Sequence, residues 1–333
     1  MNQDKRSRGY RRARGKFRGL ILGLATIVAM WTGLAGAATA ATLDETIRLN
    51  HQPHGLVMIP EGAGFYVTNP DSNTVSKIDT STNTVVETIH VGNSPYQAAI
   101  TPEGHVLFVS NEEDDSVSVI DTFKGTVVGT IEDLSSRPEY MAVSPDGSLL
   151  YVASRDTVSV IDTSTNTVVR TISDVGNNLQ GVAVSPDGSL LYVADMNQSA
   201  VFAIDTATNT VVNTWNVGSG PMGVAVNQDG TRVTSANYLS HTASVIDTST
   251  DAIETIDVGD FPRQMAFDRD GTHVYVTNQS TNTLSTIDTA SNTVVSTVDV
   301  EGYPVVVAIS VDGAKAYVTN YSGSSVSVID LRA

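Results

Sequence analysis

The chain contains no cysteine. That excludes disulfides, thiolate metal sites, a cysteine nucleophile and haem attachment through Cys-x-x-Cys-His. Positive charge is scarce as well. Eight of the 19 Lys and Arg lie between Lys5 and Arg18, and from Thr42 onward 11 basic residues face 35 acidic ones, a formal charge of −24. A field of that sign repels phosphate backbones and anionic lipid. The remaining Lys and Arg are scattered singly, so nucleic acid is not an expected partner. Catalytic signatures are missing too: there is no Gly-x-Ser-x-Gly, P-loop, dinucleotide fingerprint or His-x-x-x-His spacing. No cofactor and no metal is expected.

Long apolar runs are absent but for one, from Gly19 to Ala41, directly after the basic stretch. A basic segment, an apolar run and small residues at Ala38-Thr39-Ala40 have the form of a secretory signal, 1–41, which implies export to the cell envelope or the extracellular space. An uncleaved membrane anchor is the alternative, because the run is just long enough to span. After cleavage no stable membrane insertion is expected.

What the remainder has in abundance is repetition. Ile-Asp recurs at Ile78-Asp79, Ile120-Asp121, Ile161-Asp162, Ile204-Asp205, Ile246-Asp247, Ile287-Asp288 and Ile329-Asp330, at spacings of 42, 41, 43, 42, 41 and 42 residues. Each unit carries four short strand signals in the same order, with turn residues between them. That period and content predict an all-β, seven-bladed β-propeller over residues 42–333, with four-stranded antiparallel blades. The last unit stops after its third strand, while Glu45-Thr46-Ile47-Arg48-Leu49 before Pro53 matches Glu87-Thr88-Ile89-His90-Val91 before Pro95. The N-terminal strand is therefore expected to complete blade seven and close the ring.

The repeated carboxylates have a folding explanation. In Ser144-Pro145-Asp146-Gly147 and Ser185-Pro186-Asp187-Gly188, Pro presets φ and Gly accepts φ > 0, as a hairpin turn requires. The Asp of Ile-Asp stands before Thr-Ser-Thr-Asn, where its side chain can accept backbone N–H groups and start the next turn. The acidic loop Glu112 to Asp115 lacks the alternating spacing and Gly of a calcium loop and reads as a solvated surface.

Tyr275-Val276-Thr277-Asn278 and Tyr317-Val318-Thr319-Asn320, with Tyr66-Val67-Thr68-Asn69 and the variants Phe108 to Asn111, Tyr151 to Ser154 and Tyr192 to Asp195, resemble the YVTN β-propeller repeat. Blade five departs, reading Arg232-Val233-Thr234-Ser235-Ala236-Asn237. The resemblance implies kinship with surface-layer and exported prokaryotic proteins. That family includes cell-surface proteins, a periplasmic member that binds single-stranded DNA, and many with no known ligand. Related seven-bladed rings include lactonases and a streptogramin lyase, so fold alone does not choose a function.

Function is expected where the blades differ. The face carrying the two hairpin turns is nearly invariant; the face carrying the inter-blade connections varies. At the position after the inter-blade Pro stand His54, Tyr96, Glu139, Gln180, Met222, Arg263 and Val305, followed by Gly55, Gln97, Tyr140, Gly181, Gly223, Gln264 and Val306. His54, Tyr96, Gln97, Glu139, Tyr140, Gln180, Arg263 and Gln264 are thus the candidate ligand-binding residues, for a protein, glycan or small-molecule partner at the channel mouth. The expected protein is a monomeric, non-enzymatic binding module. A lactonase- or lyase-type enzyme is the alternative, with His54 and Glu139 as its acid–base pair. As an exposed rim, these positions would tolerate alanine at Glu139 or Arg263 with little change in melting temperature, and His54 would titrate near pH ~6.5.

Overall fold

The computed structural model describes residues 41–135 and 137–332; the segment expected to be a secretory signal, 1–41, lies outside the described residues except for Ala41. Alternating apolar and polar positions produce strands throughout, and these assemble into seven four-stranded sheets. Six sheets take consecutive strands, in blades spanning 56–90, 95–131, 140–172, 179–216, 221–257 and 262–299. The seventh combines the three strands of 304–330 with Thr42–Arg48, in the order 42–48, 325–330, 315–320, 304–309.

The closing strand begins three residues earlier than the sequence match indicated. Thr42–Arg48 runs antiparallel to Ser325–Asp330, with Thr46 opposite Ser327 and Ile47 opposite Val326, and a bulge between Leu43 and Glu45. Leu49 N–H extends the pairing to Ser324 O at 2.8 Å. Lys315 Nζ reaches Asp44 at 2.9 Å and Arg48 reaches Glu301 at 2.8 Å. Asn83 of blade 1 donates to Glu45 at 2.6 Å. The seam is tied on both sides.

There is no single core. Each apolar cluster lies between two neighbouring blades; Ile47, Leu56, Phe65, Val305, Tyr317 and Val326, for example, join blades 7 and 1. Phe65 and Tyr317 pack with ring centroids 4.6 Å apart. Outer strands of blades 1, 2, 3, 4 and 6 carry a β-bulge against the third strand, a device that twists a free edge away from further pairing.

Most repeated polar residues have a structural partner. Asp79 Oδ1 accepts the Ser81 and Thr82 N–H groups at 2.7 and 3.1 Å, and Asp162, Asp205, Asp247 and Asp288 do the same in their blades. The following Thr ties this turn to the other hairpin: Thr163 Oγ1 donates to Gly147 O and Thr206 Oγ1 to Gly188 O, at 2.6 and 2.7 Å. Gly147 itself has φ 75°, which only Gly adopts without strain. The Asn that ends the YVTN-like segment secures the turn between second and third strands: Asn320 Nδ2 donates to Ser325 and Ser327 Oγ at 3.1 and 2.9 Å. In blade 4 Asp195 reverses the polarity and accepts the backbone N–H groups of Asn177, Asn197 and Gln198.

Candidate binding site at the channel mouth

The Thr of the same segment positions the mouth. Thr68 Oγ1 accepts Gly55 N–H of its own blade at 2.7 Å and donates to Tyr96 O of the next at 3.0 Å. Ser110 holds Glu139 O, Thr277 holds Val305 O and Thr319 holds His54 O in the same way, at 2.9, 2.9 and 2.8 Å. A residue explained by the fold thus fixes the backbone of the residue that varies. Blades 3, 4 and 5 carry Ala153, Ala194 and Ala236 at this position, so Gln180, Met222 and Arg263 have no such clasp.

None of the candidate residues is exposed: His54, Tyr140, Gln180 and Gln264 are buried, and Tyr96, Gln97, Glu139 and Arg263 are partly buried. His54 and Gln180 are each 6% exposed and Tyr140 3%. Arg263 of blade 6 crosses the channel, and its Nη2 lies 2.9 Å from His54 Nε2 and 3.0 Å from Tyr96 Oη. The His54 and Tyr96 rings stack at 4.0 Å, and Tyr96 meets Tyr140 edge-on at 5.4 Å. Alanine at Arg263 would therefore empty a packed, hydrogen-bonded place, and the tolerance expected of an exposed rim does not hold.

His54 is not a pH switch. Its Nδ1 faces Tyr96 O at 2.9 Å, an acceptor, so Nδ1 carries the proton; Nε2 accepts from Arg263, which can only donate. Burial, then the Arg263 cation, push its pKa well below the usual histidine range, against the opposing pull of the Tyr96 carbonyl. Both ring nitrogens have partners, and among the described residues no hydrogen bond joins His54 to Glu139. The imidazole ¹⁵N shifts of His54 are expected to show the Nδ1–H tautomer and stay constant from pH ~5 to ~8. A midpoint near pH ~6.5 would contradict this geometry.

Glu139 faces the other way, toward blades 3 and 4. Burial raises its pKa, while Arg137, Arg263, the Gln180 amide and Arg155 pull it down without prevailing. Arg137 Nε stands 3.8 Å from Glu139 Oε1, and Arg137 also pairs with Glu112. The basic residues that look scattered in sequence therefore converge here. Arg137, Glu139, Arg155 and Asn178 line a cavity of ≈ 250 Å³, and Asn178 Oδ1 accepts the Gln180 amide at 3.1 Å. Gln97 and Gln264 are used in the seams between blades: Gln97 Oε1 lies 2.4 Å from where a Cβ on Gly55 would stand, and Gln264 Oε1 2.9 Å from that of Gly223.

Sequence reasoning missed Arg137, Arg155 and Asn178, and also an aromatic rim beside His54, where Tyr321 lies 6.4 Å from the imidazole and 6.0 Å from Tyr303. The one available signal was loop length. The connections into blades 3 and 4 run 132–139 and 173–178 and that into blade 1 runs 49–55, against four residues each at 91–94, 217–220, 258–261 and 300–303. The opposite mouth is different in kind, a hollow of ≈ 650 Å³ whose lining includes Val226, Phe267, Ile309 and Val311. Among the described residues no cluster of three or more His, Asp or Glu could hold a metal ion.

No protein-family model and no curated protein matches the sequence. Among solved structures, a chain of hydrazine synthase from Kuenenia stuttgartiensis matches with a TM-score of 0.77 and 24% identity, over 84% of this chain and 95% of that one. At that identity the likeness shows the fold alone, and a fold matched by 1768 solved chains does not select a function.

Proposed function

We propose that this protein is an exported, non-enzymatic binding module of the YVTN-repeat type, acting at the cell surface, in the envelope or outside the cell through the varied face of its propeller. One observation carries the reading: His54, Tyr96 and Arg263, from three blades, meet in one connected polar network in which both ring nitrogens of the histidine have partners. Such a network suits recognition, since its histidine has no free nitrogen to take a proton. Tyr303 and Tyr321 add flat apolar surface beside it, which suits a glycan, protein segment or small organic ligand. The charge of −24 past Ala41 disfavours nucleic acid. Export is supported by the basic and apolar segments and by the small residues before Thr42, where the first strand begins.

Two measurements test this reading. N-terminal sequencing of protein from culture medium or envelope is expected to find a start near Thr42, and intact Met1 in the cytosol would remove export. A screen of glycans, small molecules and lactones against the purified chain is expected to yield a ligand that raises the melting temperature without turnover. Lactone hydrolysis or elimination that disappears in His54→Ala or Glu139→Gln would establish the enzymatic alternative instead.

A further inference from the structure

Past Ala41 the chain holds only 11 basic residues, yet three of them act on one carboxylate, Glu139. The three differ in their other partners. Arg137 has Glu112, and its backbone N–H meets Asp115. Arg155 is exposed and, among the described residues, makes no ion pair and no side-chain hydrogen bond. Arg263 touches only neutral groups through Nη2, and its Nε is buried without a partner. A guanidinium taken out of water is ordinarily matched by a carboxylate of its own, because an uncompensated buried cation is costly. The cavity beside them is lined by Arg137, Arg155, Glu139 and Asn178, and the two inter-blade connections flanking it, 132–139 and 173–178, are longer than the four-residue connections of the repeat.

We propose that this cavity between blades 3 and 4 binds a small ligand bearing an oxyanion, a carboxylate or a phosphate, with Arg155 and Arg137 as its direct partners. The inference rests on the binding-module reading and names the chemistry of its ligand. The planar guanidinium donors suit a two-oxygen acceptor. Asn178 supplies a neutral amide at the wall, its Oδ1 held by the Gln180 amide, and the Arg263 charge behind Glu139 adds a fixed favourable field. Glu139 then acts as an internal competitor: it pairs with Arg137 and repels an incoming anion. That assigns opposite signs to two neighbouring substitutions. Loss of Arg155 weakens binding, and neutralisation of Glu139 strengthens it.

The experiment is calorimetric titration of the chain from Thr42 with citrate and, separately, inorganic phosphate, at constant ionic strength balanced with sodium chloride. Saturable one-to-one binding of at least one anion is expected, and the stronger of the two identifies the oxyanion class. Arg155→Ala is expected to weaken it roughly tenfold. Glu139→Gln is expected to tighten it about threefold or more, and Arg269→Ala, on the opposite face, to leave it unchanged. Because Arg155 is exposed, its variant keeps the wild-type melting temperature, which separates a lost contact from a lost fold. The proposal is overturned if neither anion binds, if Arg155→Ala and Glu139→Gln leave affinity unchanged, or if Arg269→Ala has an equal effect. A neutral ligand that binds the mouth independently of Arg155 would end the anion assignment and leave the binding module standing.

Discussion

Removing residues 42–49 is expected to lower the melting temperature by roughly 10–20 °C, the largest single effect available in this fold. The strand contributes Ile47, 5% exposed between blades 7 and 1, and truncating such a side chain to Ala costs about 2–5 kcal/mol. It also contributes the backbone pairing along Ser325–Asp330, at about 0.5–1.5 kcal/mol per hydrogen bond. The sum is of order 5–10 kcal/mol, and in a domain of this size each kcal/mol moves the midpoint by about 2 °C. The point variant Ile47→Ala should show only the first part. Deletion also bares the edge of Ser325–Asp330, so concentration-dependent self-association should accompany the loss, visible by light scattering. A deleted chain that stays monomeric and melts with the full-length protein would mean that the ring closes without this strand.

Acid is expected to unfold the protein sharply. Ten turn aspartates, Asp79, Asp121, Asp146, Asp162, Asp187, Asp205, Asp229, Asp247, Asp288 and Asp312, have pKa values below the ordinary 3.8, chiefly because hydroxyl and backbone N–H groups donate to the charged form. For Asp187 and Asp247 the value reaches about 2. A carboxylate depressed in the folded state stabilises it above the unfolded pKa, and the contribution is lost as pH falls through the folded pKa. Melting temperature should therefore hold down to pH ~4 and drop steeply between pH ~4 and ~2. Glu139 works in the opposite direction, since burial raises its pKa, but it is one group against ten. Relief of the net negative charge on acidification also opposes the loss. Melting followed by circular dichroism across this range decides which wins, and a midpoint that is flat or rising to pH ~2 would show that charge repulsion outweighs the turns. Asp247→Asn keeps the turn acceptor and loses the ionisation, so it should soften the acid transition without abolishing the fold.

The fold was legible because each position could be read seven times. Asp at the end of Ile-Asp, Gly147 in its turn and the closing match of Glu45 to Leu49 all followed from offsets in the repeat. The meaning of Thr and Asn in the YVTN-like segment was not legible, since Thr319 reaches His54 O and Asn320 reaches Ser325 and Ser327 only once the blades are assembled. The mouth was located through its variable positions, but its chemistry was not. The pKa of His54 is lowered first by burial and then by Arg263, which crosses the channel to it from 209 positions away. Arg137 and Arg155 lie in connections, 132–139 and 154–157, outside the ring positions that were compared between blades, so that comparison did not register them. Periodicity discloses what is common; a binding site is built from exceptions to it.

The closing strand is the first part of the ring to leave the ribosome and the last to find its partner. Thr46 pairs with Ser327, so no local contact can set blade 7 until nearly the whole chain exists. Pairing across such a separation makes for slow folding, because the loop entropy is paid before the contact rewards it. Until then two unpaired edges, 42–48 and 325–330, are open to other chains, the condition under which partly folded proteins aggregate. A chain that is completed before it folds, as transport across a membrane would arrange, presents both edges to each other at the same moment.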